Sequence, residues 1–254
     1  MAPEESAAFK WPTIDLIYDD GEPLESNWHR IEMNLLIDVV WQAMVKRGRA
    51  DFFAGGNMFI YFSSEQAEFV ATHPPARYRH FTGPDFFFVG GVEPAHTRNA
   101  WVVWEEEGRY PDVIIELLSP STAMIDKTTK KERYERTFRT PEYFWYDPSG
   151  DELMGWRLAG RRYEEIKPDG DGRLWSEELE LWLGRWHGVW LGEEGVWLRF
   201  YDSEGRLAPT PAEAERERAE AERQRAEAAE AEVASLKARL AELEKHGSAA
   251  RPIS

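Results

Sequence analysis

The chain has 254 residues, 42% of them hydrophobic and none of them cysteine, which allows one sizeable core with an appendage and excludes disulfide frameworks and thiolate metal sites. No apolar run reaches the ~18 residues of a membrane span, and MAPEESAAFK lacks the basic-then-apolar pattern of a signal peptide, so a cytoplasmic protein without membrane contact is expected. The formal net charge of −16 argues against a broadly basic nucleic-acid-binding surface, and only 8 of the 31 basic and 10 of the 47 acidic residues lie from residue 209 onward.

Residues 1 to 25 are polar and contain proline, with Ile14 to Tyr18 as a short apolar piece that predicts an arm and an edge strand. After Ser26 or Asn27 as N-cap, Ile31, Leu35, Leu36, Val39, Val40, Ala43 and Met44 recur at helical spacing and stop before Gly48. His29 and Glu32 fall in the first turn of this helix, where a capping or solvent-facing role is the ordinary expectation. Gly55-Gly56-Asn57 reads as a hairpin turn between Asp51–Phe53 and a strand over residues 58–62. Residues 63–82 read as a polar connection. Pro84-Asp85 then opens the dense strand Phe86-Phe87-Phe88-Val89, ended by two glycines. Residues 92–110 form an insertion, with an apolar patch at 101–104 and the acidic run Glu105-Glu106-Glu107 expected as a solvated loop.

The central stretch is PDVIIELLSPST, residues 111–122, followed by a charged helix over 124–139 and by PEYFWYDP, residues 141–148. Alternation places Asp112, Ile114 and Glu116 on one face of the first strand. Glu116 stands out, because a carboxylate in so apolar a strand is costly to bury without a cation, a donor or a metal beside it. Serines and a threonine at 119–122 end the strand and offer caps to the helix. That helix carries Asp126, Lys127, Lys130 and Lys131, with Lys127 and Lys131 on one face and Lys130 four residues before Tyr134 on another.

Beyond Pro148 short strands are expected at 152–158, 162–166, 181–186, 189–191 and 196–201, as a β extension plated by tryptophans at 156, 175, 182, 186, 190 and 197. From Ala212 to His246 there is neither Gly nor Pro, and Val233, Leu236, Leu240 and Leu243 follow 3-4-3 spacing, continued backwards through Ala229, Ala226 and Ala219 except at Glu222. This predicts a helix ended by Gly247 that self-associates as a coiled coil, a homodimer by default. Residues 1–208 are expected as one domain and 209–254 as a second module.

PDVIIELLSPST, the run Asp126, Lys130, Tyr134 at four-residue intervals, and PEYFWYDP together resemble the Uma-two-type family of restriction endonucleases, within the PD-(D/E)XK nuclease superfamily. The resemblance covers roughly residues 12–200 by order of elements, and its central motifs are the specific part. It implies an α/β, restriction-endonuclease-like fold: a mixed central sheet of strands near 58–62, 85–89, 112–118 and 142–147, flanked by helices. It also implies a Mg²⁺- or Mn²⁺-dependent endonuclease acting on DNA. Carried over by motif, Asp85 and Glu116 are the metal-holding carboxylates and, with Lys130, the catalytic set. Asp112 and His29 are outer candidates, and family members commonly carry a histidine near position 29. The family pattern's simplest lysine position, two residues after the glutamate, is Leu118 here. Lys130 on the helix matches the related pattern, with Lys127 and Lys131 as fallbacks. Ser119 and Ser121 have no G-x-S-x-G or S-x-x-K setting and read as turn residues. Two other classes fit the residues: a catalytically silent nuclease fold that binds nucleic acid or protein, and a scaffold organised by the coiled coil.

Overall fold

The computed structural model describes residues 16, 26–72, 83–93, 97–120 and 123–249. The edge strand expected around Ile14 to Tyr18, the His73-Pro74-Pro75 connection, the caps at Ser121 and Thr122, and the chain after Ala249 lie outside the described residues, apart from Leu16 itself. The chain separates into two compact units, Met1–Ala208 and Pro209–Ser254.

Helix α1, Asn27–Lys46, starts where its sequence pattern starts: the Ser26 hydroxyl accepts a hydrogen bond from the His29 backbone N–H at 3.1 Å. It stops at Gly48, whose φ of +73° suits a residue without Cβ. Its buried stripe of Ile31, Leu35, Leu36, Val39, Val40 and Met44 packs on one face of a six-stranded mixed sheet. The strands are β1 Phe52–Gly55, β3 Phe86–Gly90, β5 Val113–Leu117, β6 Glu142–Asp147, β7 Glu152–Ala159 and β8 Arg162–Glu165, in that spatial order. Only β5 and β6 are parallel neighbours; the other contacts are antiparallel.

Residue parity divides the core between the two faces of this sheet. Phe86, Phe88, Val113, Ile115, Leu117, Phe144 and Tyr146 face α1 and a second, three-stranded sheet of β9 Leu174–Ser176, β10 Leu181–Trp190 and β11 Glu193–Tyr201. Phe87, Val89, Ile114, Tyr143 and Trp145 face a helix over residues 123–138, here α3, which makes the crossover from β5 to β6. In α3 the α-helical turns Ala123–Ile125 and Lys131–Arg133 alternate with the π-helical turns Asp126–Lys130 and Tyr134–Phe138. The restriction-endonuclease-like α/β class expected from sequence is therefore the fold observed.

Several elements fall elsewhere than local pattern suggested. The strand expected at 58–62 is not in the central sheet. Its core, β2 Ile60–Tyr61, pairs in parallel with β4 Trp101–Val102 in a separate ribbon, and Phe52–Gly55 takes the sheet edge instead. Gly55-Gly56-Asn57 is accordingly no hairpin turn, because β1 pairs with β3. Residues Ser64–Thr72 form a helix, α2, within the expected connection. A capping box shifted by one residue announces it: the Ser63 hydroxyl accepts from the Gln66 N–H, and the Gln66 side chain accepts from the N–H of Phe62, just before the cap. The β extension splits, with β7 and β8 continuing the central sheet and β9 to β11 forming the second one. Segments 181–186 and 189–191 are one ten-residue strand, β10, because its antiparallel ladder with β11 runs unbroken from Trp182 to Trp190. In the acidic run Glu106 turns inward to pair with Arg98 at 2.6 Å, while Glu105 and Glu107 stay exposed.

Helix α4, Pro211–Ala249, begins with a second capping box between Thr210 and Glu213 and runs past Gly247. One glycine costs a helix about 1 kcal/mol and does not by itself end it.

Glu32 is fully buried on α1, against the expectation of a solvent-facing or capping residue. Its Oε2 accepts from the Leu198 N–H at 3.1 Å, which fastens α1 to β11. Burial pushes the Glu32 carboxyl up to about 8, against that hydrogen bond and the attraction of Arg199. A folded-state value raised above the unfolded one makes its stabilising share complete below pH 4.5 and lost as pH rises through 8. Denaturant unfolding at pH 5.5 and 8.5 should show the wild type losing up to about 3 kcal/mol more than Glu32→Gln over that interval. Equal losses in the two proteins would show that Glu32 is ionised throughout.

Candidate active site

The site forms where the C-terminal end of β5 meets the N-terminal end of β3. The antiparallel register pairs Phe86 with Ile115, so Asp85, the residue just before β3, comes level with the end of β5, where it meets the Leu117 backbone next to Glu116. Asp85 is held at both oxygens: Oδ2 accepts from the Leu117 N–H at 2.7 Å, and Oδ1 lies 2.7 Å from His29 Nε2. The Ser26 cap that starts α1 thus also places His29, so the outer candidate His29 is a buried partner of the half-buried Asp85.

Glu116 lies on the α3 side of the sheet and is 0% exposed. Lys130 Nζ is 3.1 Å from its Oε2, and the Tyr134 hydroxyl donates to its Oε1 at 2.7 Å. Lys130 also pairs with buried Asp126 at 2.7 Å, and the Tyr143 hydroxyl donates to the Asp126 carbonyl. In a regular α-helix, residues four apart drift by about 40° per step, which would carry Tyr134 well off the line of Asp126. The wider π turns take this drift back, so Asp126, Lys130 and Tyr134 all address the end of β5. π turns recur at functional sites for such reasons.

The four-residue offsets therefore identify the lysine that reaches Glu116. Lys127 lies over the Trp145 ring and 3.5 Å from Asp147, and Lys131 lies 3.5 Å from the Trp156 ring centroid, so neither fallback enters the site. Asp112 sits at the far end of the β5 face, where it accepts from the Gly90 N–H and pairs with Arg109. It is a structural carboxylate. Asp126 and Tyr134 entered the sequence argument only as spacing marks. Their roles were not legible because a buried contact with Glu116 depends on the helix's rotation about its axis.

Three carboxylates, Asp85, Glu116 and Asp126, surround the one lysine ammonium. Burial raises the Glu116 carboxyl well above its ordinary range; Lys130 and Tyr134 pull it down, and Asp126 and Asp85 push it up. Burial works against the Lys130 ammonium too, but the attraction of Glu116, Asp126 and Asp85 outweighs it and raises its pKa. Asp85 and Lys130 keep 16% and 18% side-chain exposure, so the site opens on their side while Glu116 forms its floor.

This donor set fits a hard divalent cation. It has hard oxygen ligands, an excess of negative charge in a desolvated place, and carboxylate oxygens that each carry one donor and retain a lone pair. Among the described residues no three His, Cys, Asp or Glu side chains gather as a ready metal cluster. The protein would thus supply Asp85 and Glu116, leaving the remaining positions to water and substrate oxygens, as Mg²⁺ commonly requires.

A carboxylate at the mouth of β3 and another on β5, with a lysine delivered by the crossover helix, thus sit together on a restriction-endonuclease-like sheet. Residues 7–189 match the model of the Uma2 family, described as "Putative restriction endonuclease", and the chain belongs to that family. No curated protein matches the chain. Among the described residues no helix is long and apolar enough to cross a membrane.

Gly56 is the least obvious member of the site. A Cβ there would lie 2.0 Å from the Asp85 carbonyl oxygen, so the β1 end and the Asp85 backbone pass too closely for any side chain. Gly56→Ala should destabilise the protein by about 1–3 kcal/mol in denaturant unfolding, since the clash is with backbone. Gly150→Ala, with nothing within 4 Å of the new Cβ, should stay within about 0.5 kcal/mol of wild type. Equal effects would mean that the close approach at Asp85 relaxes freely.

Proposed function

We propose that the protein is a Mg²⁺-dependent endonuclease that hydrolyses DNA phosphodiester bonds, acting as a homodimer whose two sites address the two strands. The observation that carries this reading is the Lys130 ammonium 3.1 Å from Glu116, with Asp85 at the mouth of the neighbouring strand and bonded to the next residue, Leu117. A catalytically silent fold has no need to keep a half-buried lysine among three carboxylates at the open end of the sheet. Asp85 and Glu116 are the residues that would hold Mg²⁺ or Mn²⁺, which when bound polarises the phosphate and makes water a better nucleophile at neutral pH.

The chain's own groups do the rest. Lys130, protonated and partly exposed, donates to the attacking water and offsets the charge that builds on the phosphate oxygens. His29 keeps the Asp85 carboxylate aimed, and Tyr134 fixes the Glu116 carboxylate from the opposite side. Without a cation the excess carboxylate charge repels phosphate, in keeping with the overall charge of −16, so productive DNA contact depends on metal.

Supercoiled plasmid incubated with the purified protein and Mg²⁺ or Mn²⁺ should be nicked and linearised. Asp85→Asn, Glu116→Gln and Lys130→Met should each lower the rate at least about a hundredfold, with far-ultraviolet circular dichroism unchanged. Wild-type protein that leaves plasmids of varied sequence intact with either metal, or cutting that survives all three substitutions, would sink the proposal.

A further inference from the structure

Helix α4 is charged over most of its circumference, yet Val233, Leu236 and Leu240 line one stripe of it and are 48%, 58% and 59% exposed. Ala226 and Ala229 extend the stripe one heptad back, Leu243 continues it in the sequence, and Glu222 interrupts it. The charged residues on the two edges of the stripe follow a rule. On one edge are Arg225, Glu232 and Arg239; on the other are Glu230 and Lys237, with Glu244 next in the sequence. Arg218 and Arg223, nearer the helix start, pair with glutamates of their own helix. Arg225, Glu230, Glu232, Lys237 and Arg239 make no ion pair among the described residues, although they flank the apolar stripe.

We infer that α4 binds the same helix of a second copy of this chain as a parallel, in-register, two-stranded coiled coil. In that arrangement each residue on the first edge meets the residue five positions later on the partner helix. Arg225 then meets the partner's Glu230, Glu232 meets the partner's Lys237, and Arg239 meets the partner's Glu244. All three contacts join opposite charges, and each occurs twice by symmetry; one heptad before the stripe the same register sets Arg218 against the partner's Arg223, a like-charge contact that glutamates of their own helix offset. The antiparallel arrangement that overlaps the same stripe brings like edges together. It sets Arg225 against the partner's Arg239, Glu230 against the partner's Glu244, and Glu232 and Lys237 each against its own copy, so every contact is repulsive. Within the stripe, β-branched Val233 at an a position with Leu236 at the following d position favours two strands, and Leu240 occupies the next a position. The contact is confined to residues 226–243, about 27 Å of helix.

This inference deepens the homodimer of the proposed function and is tested by assembly alone, so its failure is distinguishable from a failure of the nuclease chemistry. The chain has no cysteine, so one introduced thiol reports on its own symmetry mate. Sedimentation of the full chain over a concentration series should give a dimer, and Leu236→Asp should give a monomer. Ala229→Cys should form a disulfide-linked dimer under mild oxidation. In the antiparallel alternative the two copies of residue 229 are about 16 Å apart along the axis, beyond the ~4 Å Cβ spacing of a disulfide. Glu232→Lys should raise the dissociation constant roughly tenfold, and adding Lys237→Glu should restore it. A monomer at every concentration, a larger assembly, a dimer that survives Leu236→Asp, or a dimer in which Ala229→Cys does not cross-link would overturn the inference.

Discussion

A carboxylate that is 0% exposed in an apolar sheet is the constraint from which the α3 half of the candidate site follows. Glu116 occupies a strand whose every described side chain is buried, and the cost of taking such a charge out of water amounts to several kcal/mol. Only groups that bring charge or a strong donor to both its oxygens can offset that cost. Lys130 and Tyr134 do so from the crossover helix, one on each oxygen. The rotation of α3, its two π turns and the burial of Asp126 are consequences of delivering these two side chains to one point. The helix is less regular than its sequence requires because the site requires it.

The other half is built from the opposite side of the same sheet. Residue parity sends alternate side chains of β3 and β5 into two separate cores, and Asp85 lies where the strand has just begun and neither core has closed. Its backbone is pressed against Gly56, its Oδ2 takes the Leu117 amide, and its Oδ1 takes the His29 ring, which α1 positions through the Ser26 cap. Elements from both layers thus converge on one pair of carboxylates. This suits a site that must keep its geometry while carrying more negative charge than its own lysine can compensate.

That electrostatic imbalance links structure to function. A purely structural ion-pair network tends towards balance, because each uncompensated buried charge is costly. Here Asp85 and Asp126 both act to raise the Glu116 carboxyl, and the excess persists at the open edge of the sheet where a cation and a phosphate could enter. Membership of the Uma2 family and the restriction-endonuclease-like fold are consistent with the same chemistry.

Much of this was legible in the residues. The cap and stripe of α1, the dense β3, the apolar β5 with its single misplaced carboxylate, and the four-residue offsets of Asp126, Lys130 and Tyr134 are local patterns. Local periodicity follows directly from the geometry of a helix or strand. What the sequence by itself determined was therefore the identity of the elements around the site, α1, β3, β5 and α3, and the residues worth watching: Asp85, Glu116 and Lys130. Tertiary structure alone decided which strand took the sheet edge, that Gly56 serves close approach to Asp85 and not a turn, that His29 and Glu32 are buried, and that Lys130 rather than Lys127 or Lys131 reaches Glu116. These depend on strand pairing and on helix rotation about its axis, both set by contacts between residues far apart in the chain, on which no window of neighbouring residues carries information.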